Sequence, residues 1–144
     1  MARHISKKDL ASGFGSASEA ATSRAGDCTE HAVLLAAMLR AAGIPSRVVT
    51  GLVYVQQVGA ARNSYGWHMW TQGIIDGRWM DFDAVMPAGP RRFDASRLMT
   101  GSSAADGPGL DSDLVRIVDL MVAIVIEVKS IDGRLLAPQQ PAPR

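Results

Sequence analysis

The sequence predicts an α+β domain in which one buried helix packs on an antiparallel β-sheet. Three patterns indicate this class: an apolar helix that starts at Asp27, a β-branched run that starts at Ser46, and an Asp76-Gly77 pair between two apolar segments. One helix followed by a run of antiparallel strands is typical of α+β domains. With 144 residues, the chain has the length of one domain and can bury a core without disulfides.

Two helices are predicted in the first third of the chain. A short helix is expected over residues 16–24. Asp27 is a good N-cap for the main helix, and Glu30 stands three residues later, as in a capping box. The run from Ala32 to Leu39 is apolar on nearly all sides, so this helix is expected to be central and buried. Gly43 ends it.

Three strands are predicted next, and a turn joins two of them. Ser46–Val55 is rich in β-branched residues and predicts a strand, residues 56–66 predict a loop, and Trp67–Ile75 predicts a second strand. Asp76-Gly77 is a strong two-residue hairpin signal. Arg78–Asp83 is therefore expected to pair antiparallel with the second strand.

The last third of the chain has weaker patterns. Residues 86–111 are rich in Gly, Pro, Ser and Asp and predict irregular structure, with a helical turn near residues 94–99. A helix is expected over residues 112–120 and a strand over residues 122–128. We expect one domain over residues 1–136 and a disordered Pro-rich tail over residues 137–144.

Composition and charge exclude some classes of function. A net charge of +1 argues against nucleic acid as a partner, because phosphate binding needs surplus clustered Lys and Arg. No apolar run reaches about 18 residues, so no membrane span is predicted. Met1-Ala2-Arg3-His4 does not start a signal peptide. The chain is expected to be soluble, in an unassigned compartment, and to be a fragment that self-associates through surfaces a missing partner would cover.

Cys28 is the single cysteine and is the best candidate for a nucleophile. It is expected in the first turn of the main helix, where unpaired N–H groups and the helix dipole favour a thiolate. The same N–H groups can hold an oxyanion. The alternative is that Cys28 is a small buried apolar residue.

A thiolate nucleophile needs a proton carrier, usually histidine, and the chain has His4, His31 and His68. If His68 is that carrier, the hairpin register selects its carboxylate. A two-residue turn at Asp76-Gly77 places Asp83 diagonal to His68, at roughly 7–8 Å between Cα atoms. Asp81 is too far along the strand for direct contact.

The chain resembles the transglutaminase-like superfamily over roughly residues 16–86. The resemblance lies in four segments: Gly26-Asp27-Cys28-Thr29-Glu30-His31-Ala32, Leu39 to Gly51, His68-Met69-Trp70, and Gly77 to Ala84. It implies a papain-like (cysteine proteinase-like) core with Cys28 as nucleophile, His68 as base and Asp83 as the orienting carboxylate. His31 and Trp70 are candidate substrate contacts.

The predicted chemistry is acyl transfer from an amide of a protein or peptide, by hydrolysis or by transamidation. Resemblance to small bacterial members of the superfamily favours a peptidase or amidase. No cofactor is expected, and no metal, because the candidate ligands lack the spacing of a zinc site. The alternative is a catalytically silent module of a larger protein that binds peptides or supports structure.

Overall fold

A computed structural model describes residue 5 and residues 15–58, 61–85, 96–105, 124, 130–131 and 133–135. In these ranges two helices accompany a four-stranded antiparallel sheet, so the predicted combination of helix and antiparallel sheet is confirmed. The elements are α1 (Ala17–Ser23), α2 (Cys28–Ala41), β1 (Ser46–Val58), β2 (Ala61–Ile75), β3 (Arg78–Phe82), β4 (Arg97–Ser103), β5 (Ser130–Ile131) and β6 (Arg134–Leu135). The sheet order is β3-β2-β1-β4, and β5 pairs with β6.

Both helices begin at a capping residue, and the cap of α2 is the predicted one. The Ser16 hydroxyl accepts from the backbone of α1, and α1 ends at Arg24, whose φ of 54° is left-handed. At α2 the Asp27 carboxylate accepts from the Thr29 N–H at 2.8 Å, while Glu30 accepts from the Asp27 N–H at 2.8 Å. The reciprocal bonds satisfy N–H groups that have no partner inside the helix. The predicted capping box is confirmed.

Helix α2 packs its first half on β1 and β2. Ala32, Val33 and Ala36 form a buried cluster with Val48 of β1 and Met69 of β2. The Thr71 hydroxyl of β2 donates to the Ala32 carbonyl at 2.8 Å, which ties the helix backbone to the sheet. Burial decreases after Ala36, and Met38 is 51% exposed. The start of α2 is therefore the part held most firmly.

The β1–β2 hairpin is longer than predicted. Pairing runs from Ser46 opposite Gly73 to Val58 opposite Ala61, so the predicted loop over residues 56–66 is wrong at residues 56–58 and 61–66. Asn63, Ser64 and Gly66, which favoured a loop, lie instead in β2. Each added pair satisfies backbone groups, and Tyr54 and Tyr65 pack edge to face across the strands, which supports the extension.

The β2–β3 hairpin has the predicted turn and register. Asp76 and Gly77 have φ values of 50° and 73°, as a two-residue turn of type I′ requires. Pairs run from Ile75 opposite Arg78 to Thr71 opposite Phe82 without a bulge. The strand ends one residue earlier than predicted, so Asp83 directly follows it.

Strand β4 replaces the predicted helical turn. Residues 97–103 pair antiparallel with the free edge of β1, so the helical prediction is wrong at residues 97–99. Local composition does not predict this strand, because the strand forms by pairing with β1, which is far away in the sequence. The register shifts between Thr50 and Gly51, and the Thr100 hydroxyl donates to the Thr50 carbonyl at 3.2 Å beside that bulge.

The other predictions for the last third lie outside the described residues, apart from Ile124. These are the helix over residues 112–120, the strand over residues 122–128 and the tail over residues 137–144. In the part of the chain that is described, no helix is long and apolar enough to cross a membrane.

Gly51 lies where β1 approaches both β4 and an aromatic ring. A Cβ atom at this position would be 2.2 Å from the Leu98 carbonyl oxygen and 2.7 Å from the Trp70 ring. Both distances are shorter than van der Waals contact, so only glycine fits without movement. The absence of a side chain at Gly51 lets the Trp70 ring lie against β1.

We expect Gly51→Ala to destabilise the fold by about 1–3 kcal/mol, because overpacking forces the ring or the backbone to move. Urea denaturation measures the change. Gly66→Ala is the matched control on the same sheet, since a Cβ there meets nothing within 4 Å. The control is expected to stay within about 0.5 kcal/mol of the unmodified chain. Equal midpoints for the two variants would contradict the packing described for Gly51.

Candidate active site

Cys28 lies at the start of α2. It is the first helical residue after the Asp27 cap, and its thiol is free. The residue is partly buried and packs against the cluster that joins α2 to the sheet. The predicted position of the thiol at a helix N-terminus is confirmed.

His68 and Asp83 form a close, buried pair. Nε2 of His68 lies 2.7 Å from Oδ2 of Asp83, and the two side chains are 7% and 5% exposed. Asp81 has other partners, because its Oδ1 accepts from the Trp70 indole at 2.7 Å and from the Gln72 amide at 2.8 Å. The carboxylate beside His68 is thus the one that the hairpin register selected.

Asp83 is held by two further donors. Its Oδ1 accepts from the Val85 N–H at 3.0 Å, and its Oδ2 also accepts from Nη2 of Arg97 at 3.2 Å. Charged hydrogen bonds of this kind fix a carboxylate both in place and in its ionised form. Sequence reasoning missed Arg97, since nothing in its local pattern links it to a residue on another strand.

Trp70 lies beside the imidazole. Its ring stacks on His68 with centroids 6.3 Å apart and planes 24° apart. Trp70 is 3% exposed, so little of its surface is left to contact a substrate. In this arrangement the ring supports His68 from one side, while Asp81 fixes the indole.

His31 is buried near the start of α2. Its Nδ1 lies 2.6 Å from the Asp27 carbonyl oxygen. A carbonyl only accepts, so Nδ1 is the donor, and the bond adds a tie between the first helical turn and its cap. No group of three or more His, Cys, Asp or Glu side chains among the described residues could hold a metal ion.

Comparison with known proteins places the chain in a family. A model of the transglutaminase-like superfamily matches residues 3–84, which is more than half of the chain. The chain belongs to the transglutaminase-like superfamily. The resemblance seen in the sequence motifs is confirmed, and Cys28, His68 and Asp83 all lie inside the matched range.

A solved structure adds a similar fold. It is that of a "putative cysteine protease" from Cytophaga hutchinsonii, with 26% sequence identity and a TM-score of 0.55. The similarity covers 74% of the transglutaminase-like chain but 35% of the Cytophaga hutchinsonii protein. The chain therefore spans about a third of the length of that protein. No protein with a curated description matches the chain.

The ionisation of His68 is set by opposing effects. Burial acts most strongly and lowers the pKa, but hydrogen bonds to Asp83 and to Cys28, with the charges of both groups, outweigh it. The net result is a pKa raised from 6.5 to about 9. The imidazole of the transglutaminase-like site is thus protonated at neutral pH, and Cys28 is close enough to help raise its pKa.

This raised pKa makes the stability of the fold depend on pH. Because the folded pKa is above the unfolded value, the stabilisation is fully present below pH 6.5 and is lost as pH rises through about 9. We expect the free energy of unfolding to fall by about 3 kcal/mol at most across that window. Chemical denaturation of the unmodified chain and of His68→Gln at matched pH values measures it. The decrease should be absent in His68→Gln, and an equal decrease in both proteins would assign it to other groups.

Proposed function

We propose that this domain is a cysteine-nucleophile enzyme that transfers the acyl group of an amide. Cys28 is the nucleophile, His68 the proton carrier and Asp83 the orienting carboxylate. The observation that carries the proposal is one buried imidazole that lies 2.7 Å from Asp83 and whose pKa is raised by both Asp83 and Cys28. Membership of the transglutaminase-like superfamily and the likeness to the Cytophaga hutchinsonii protein support it.

The first step forms the nucleophile. Nε2 of His68 is engaged by Asp83, so Nδ1 is the nitrogen that takes the thiol proton of Cys28. The product is a thiolate beside an imidazolium, with the Asp83 carboxylate stabilising the cation and holding the ring orientation. Trp70 stacks on the ring and limits its rotation.

The second step is attack of the thiolate on an amide carbonyl carbon, which forms a C–S bond and an oxyanion. The Asp27 side chain already accepts from the N–H groups of Thr29 and Glu30. The N–H of Cys28 itself is therefore the donor at the helix start that we assign to the oxyanion.

The fold that we propose for this chemistry is a papain-like core, in which the helix start lies beside the strand that carries the histidine.

The third step breaks the C–N bond. His68 gives its proton to the departing amine, and a thioester between Cys28 and the acyl group remains. Water then releases the acid, which is hydrolysis, or a primary amine takes the acyl group, which is transamidation. We favour hydrolysis of a protein or peptide, because the Cytophaga hutchinsonii protein is named for proteolysis.

Incubation of the chain with casein and a tagged primary amine tests the proposal. Peptide fragments are expected in larger yield than tagged casein. Cys28→Ala should reduce both yields by at least about 10³-fold, because without the nucleophile only substrate binding still contributes to the reaction rate. The matched control is Ser46→Ala, which removes a hydroxyl bonded to the Ala36 carbonyl, away from the thiol. Tagged casein in excess would favour transamidation. Absence of both products would favour the silent module.

Alkylation of Cys28 tests the thiolate without any substrate. The chain has one cysteine, so iodoacetamide labelling reports on Cys28 alone. We expect labelling at pH 6 at least about tenfold faster than for a cysteine peptide, since an imidazolium partner favours the thiolate. His68→Gln should remove this advantage at pH 6 and have a small effect at pH 10, where any thiol is ionised. A peptide-like rate in the unmodified chain would contradict the activated thiol.

A further inference from the structure

Arg97 and Asp83 come from opposite edges of the sheet. Arg97 begins β4, Asp83 follows β3, and two strands lie between those edges in the order β3-β2-β1-β4. Neighbouring strands are about 4.8 Å apart, so the edges of a flat sheet of this order would be roughly 14 Å apart. The two side chains nevertheless meet at 3.2 Å. The long Arg97 side chain therefore bridges the two edges of the sheet at this end.

The strand registers place Arg97 on the face that carries His68. Arg97 is opposite Val53 of β1, and Gly51, two residues earlier on β1, is opposite His68 of β2. Residues two apart on a strand share a face, so the Arg97 and His68 side chains lie on the same side of the sheet. The arginine reaches Asp83 on that side, from the direction opposite to β3.

The contact is buried and uses the oxygen that His68 uses. Arg97 and Asp83 are 12% and 5% exposed, and both Nη2 of Arg97 and Nε2 of His68 bond to Oδ2. A carboxylate with so little access to water must be stabilised by donors or lose its charge. Arg97 is always charged, whereas His68 is not, so Arg97 supports the carboxylate in both states of the imidazole.

We propose that Arg97 is a positioning residue that shares the charge of Asp83 with His68. Arg97 keeps the carboxylate ionised and weakens the attraction between the carboxylate and the imidazolium. This inference rests on the proposed function for its catalytic meaning. Without Arg97 the whole charge of Asp83 would act on His68, and the imidazolium would release its proton to a leaving amine less readily.

Arg97 is expected to have this effect because two cations, the guanidinium and the imidazolium, bond to one carboxylate oxygen. The guanidinium and the imidazolium lie within about 6 Å of each other, a range in which like charges disfavour each other's charged form. In the described part of the chain, the other titratable groups that act on the pKa of His68 are Cys28 from α2 and Asp83 after β3. Further along the same face, Asp81 bonds to Trp70, and Arg47 bonds to Gln72.

NMR titration of the His68 imidazole in the full chain tests the inference. We expect Arg97→Met to move the midpoint of the His68 titration upward by about one pH unit from about 9, and Arg97→Lys, which keeps a cation, to stay near the unmodified value. The matched control is Arg78→Met, an exposed arginine next to the β2–β3 turn, which should leave the midpoint unchanged. Signals are assigned by loss of one resonance in His68→Gln.

An unchanged or lowered midpoint in Arg97→Met would overturn the charge-sharing role. If Arg97→Met does not fold, Arg97→Gln supplies the same comparison, because it keeps a donor without the charge and should also raise the midpoint. The titration needs no substrate and no activity. A chain that is inactive on casein but shows the upward shift would contradict the proposed function alone, and an active chain without the shift would contradict the Arg97 role alone.

Discussion

The carboxylate of Asp83 is the point at which the candidate site and the sheet depend on each other. It accepts from the Val85 backbone next to it, from His68 on the neighbouring strand and from Arg97 at the opposite edge. Losing any one donor leaves a nearly buried charge short of stabilisation, which costs more than the net gain of an ordinary hydrogen bond. The contact between the two sheet edges, the orientation of the imidazole and the ionisation of the site therefore depend on one another.

The parts of the fold that could be predicted are those with local signals. Asp27 and Glu30 specify the start of α2, and Asp76-Gly77 specifies both a turn and the register of β2 with β3. Strand β4 could not be predicted in this way, because Arg97 to Ser103 becomes extended only by pairing with β1. The same cooperativity extends β1 and β2 through residues whose composition favours a loop.

The residues of the candidate site differ in the same way, because some are placed by local signals and others by the whole fold. Cys28 is placed by a helix start and Asp83 by a hairpin register, and both features can be read from neighbouring residues. Arg97 meets Asp83 only when the four strands are assembled in the order β3-β2-β1-β4, which depends on the whole fold. The support of Trp70 under His68 also depends on a distant feature, since Gly51 on β1 leaves the space for the ring.

Asp81 in β3 and Asp83 just after it have different kinds of partner on one face of the sheet. Asp81 and Asp83 are two residues apart and share that face, yet Asp81 accepts from the neutral indole of Trp70 and the amide of Gln72. Asp83 instead bonds to the imidazole of His68 and to the guanidinium of Arg97. The register set by Asp76-Gly77 thus decides which carboxylate lies beside the imidazole, and the assembled sheet brings an arginine from β4 to the same carboxylate.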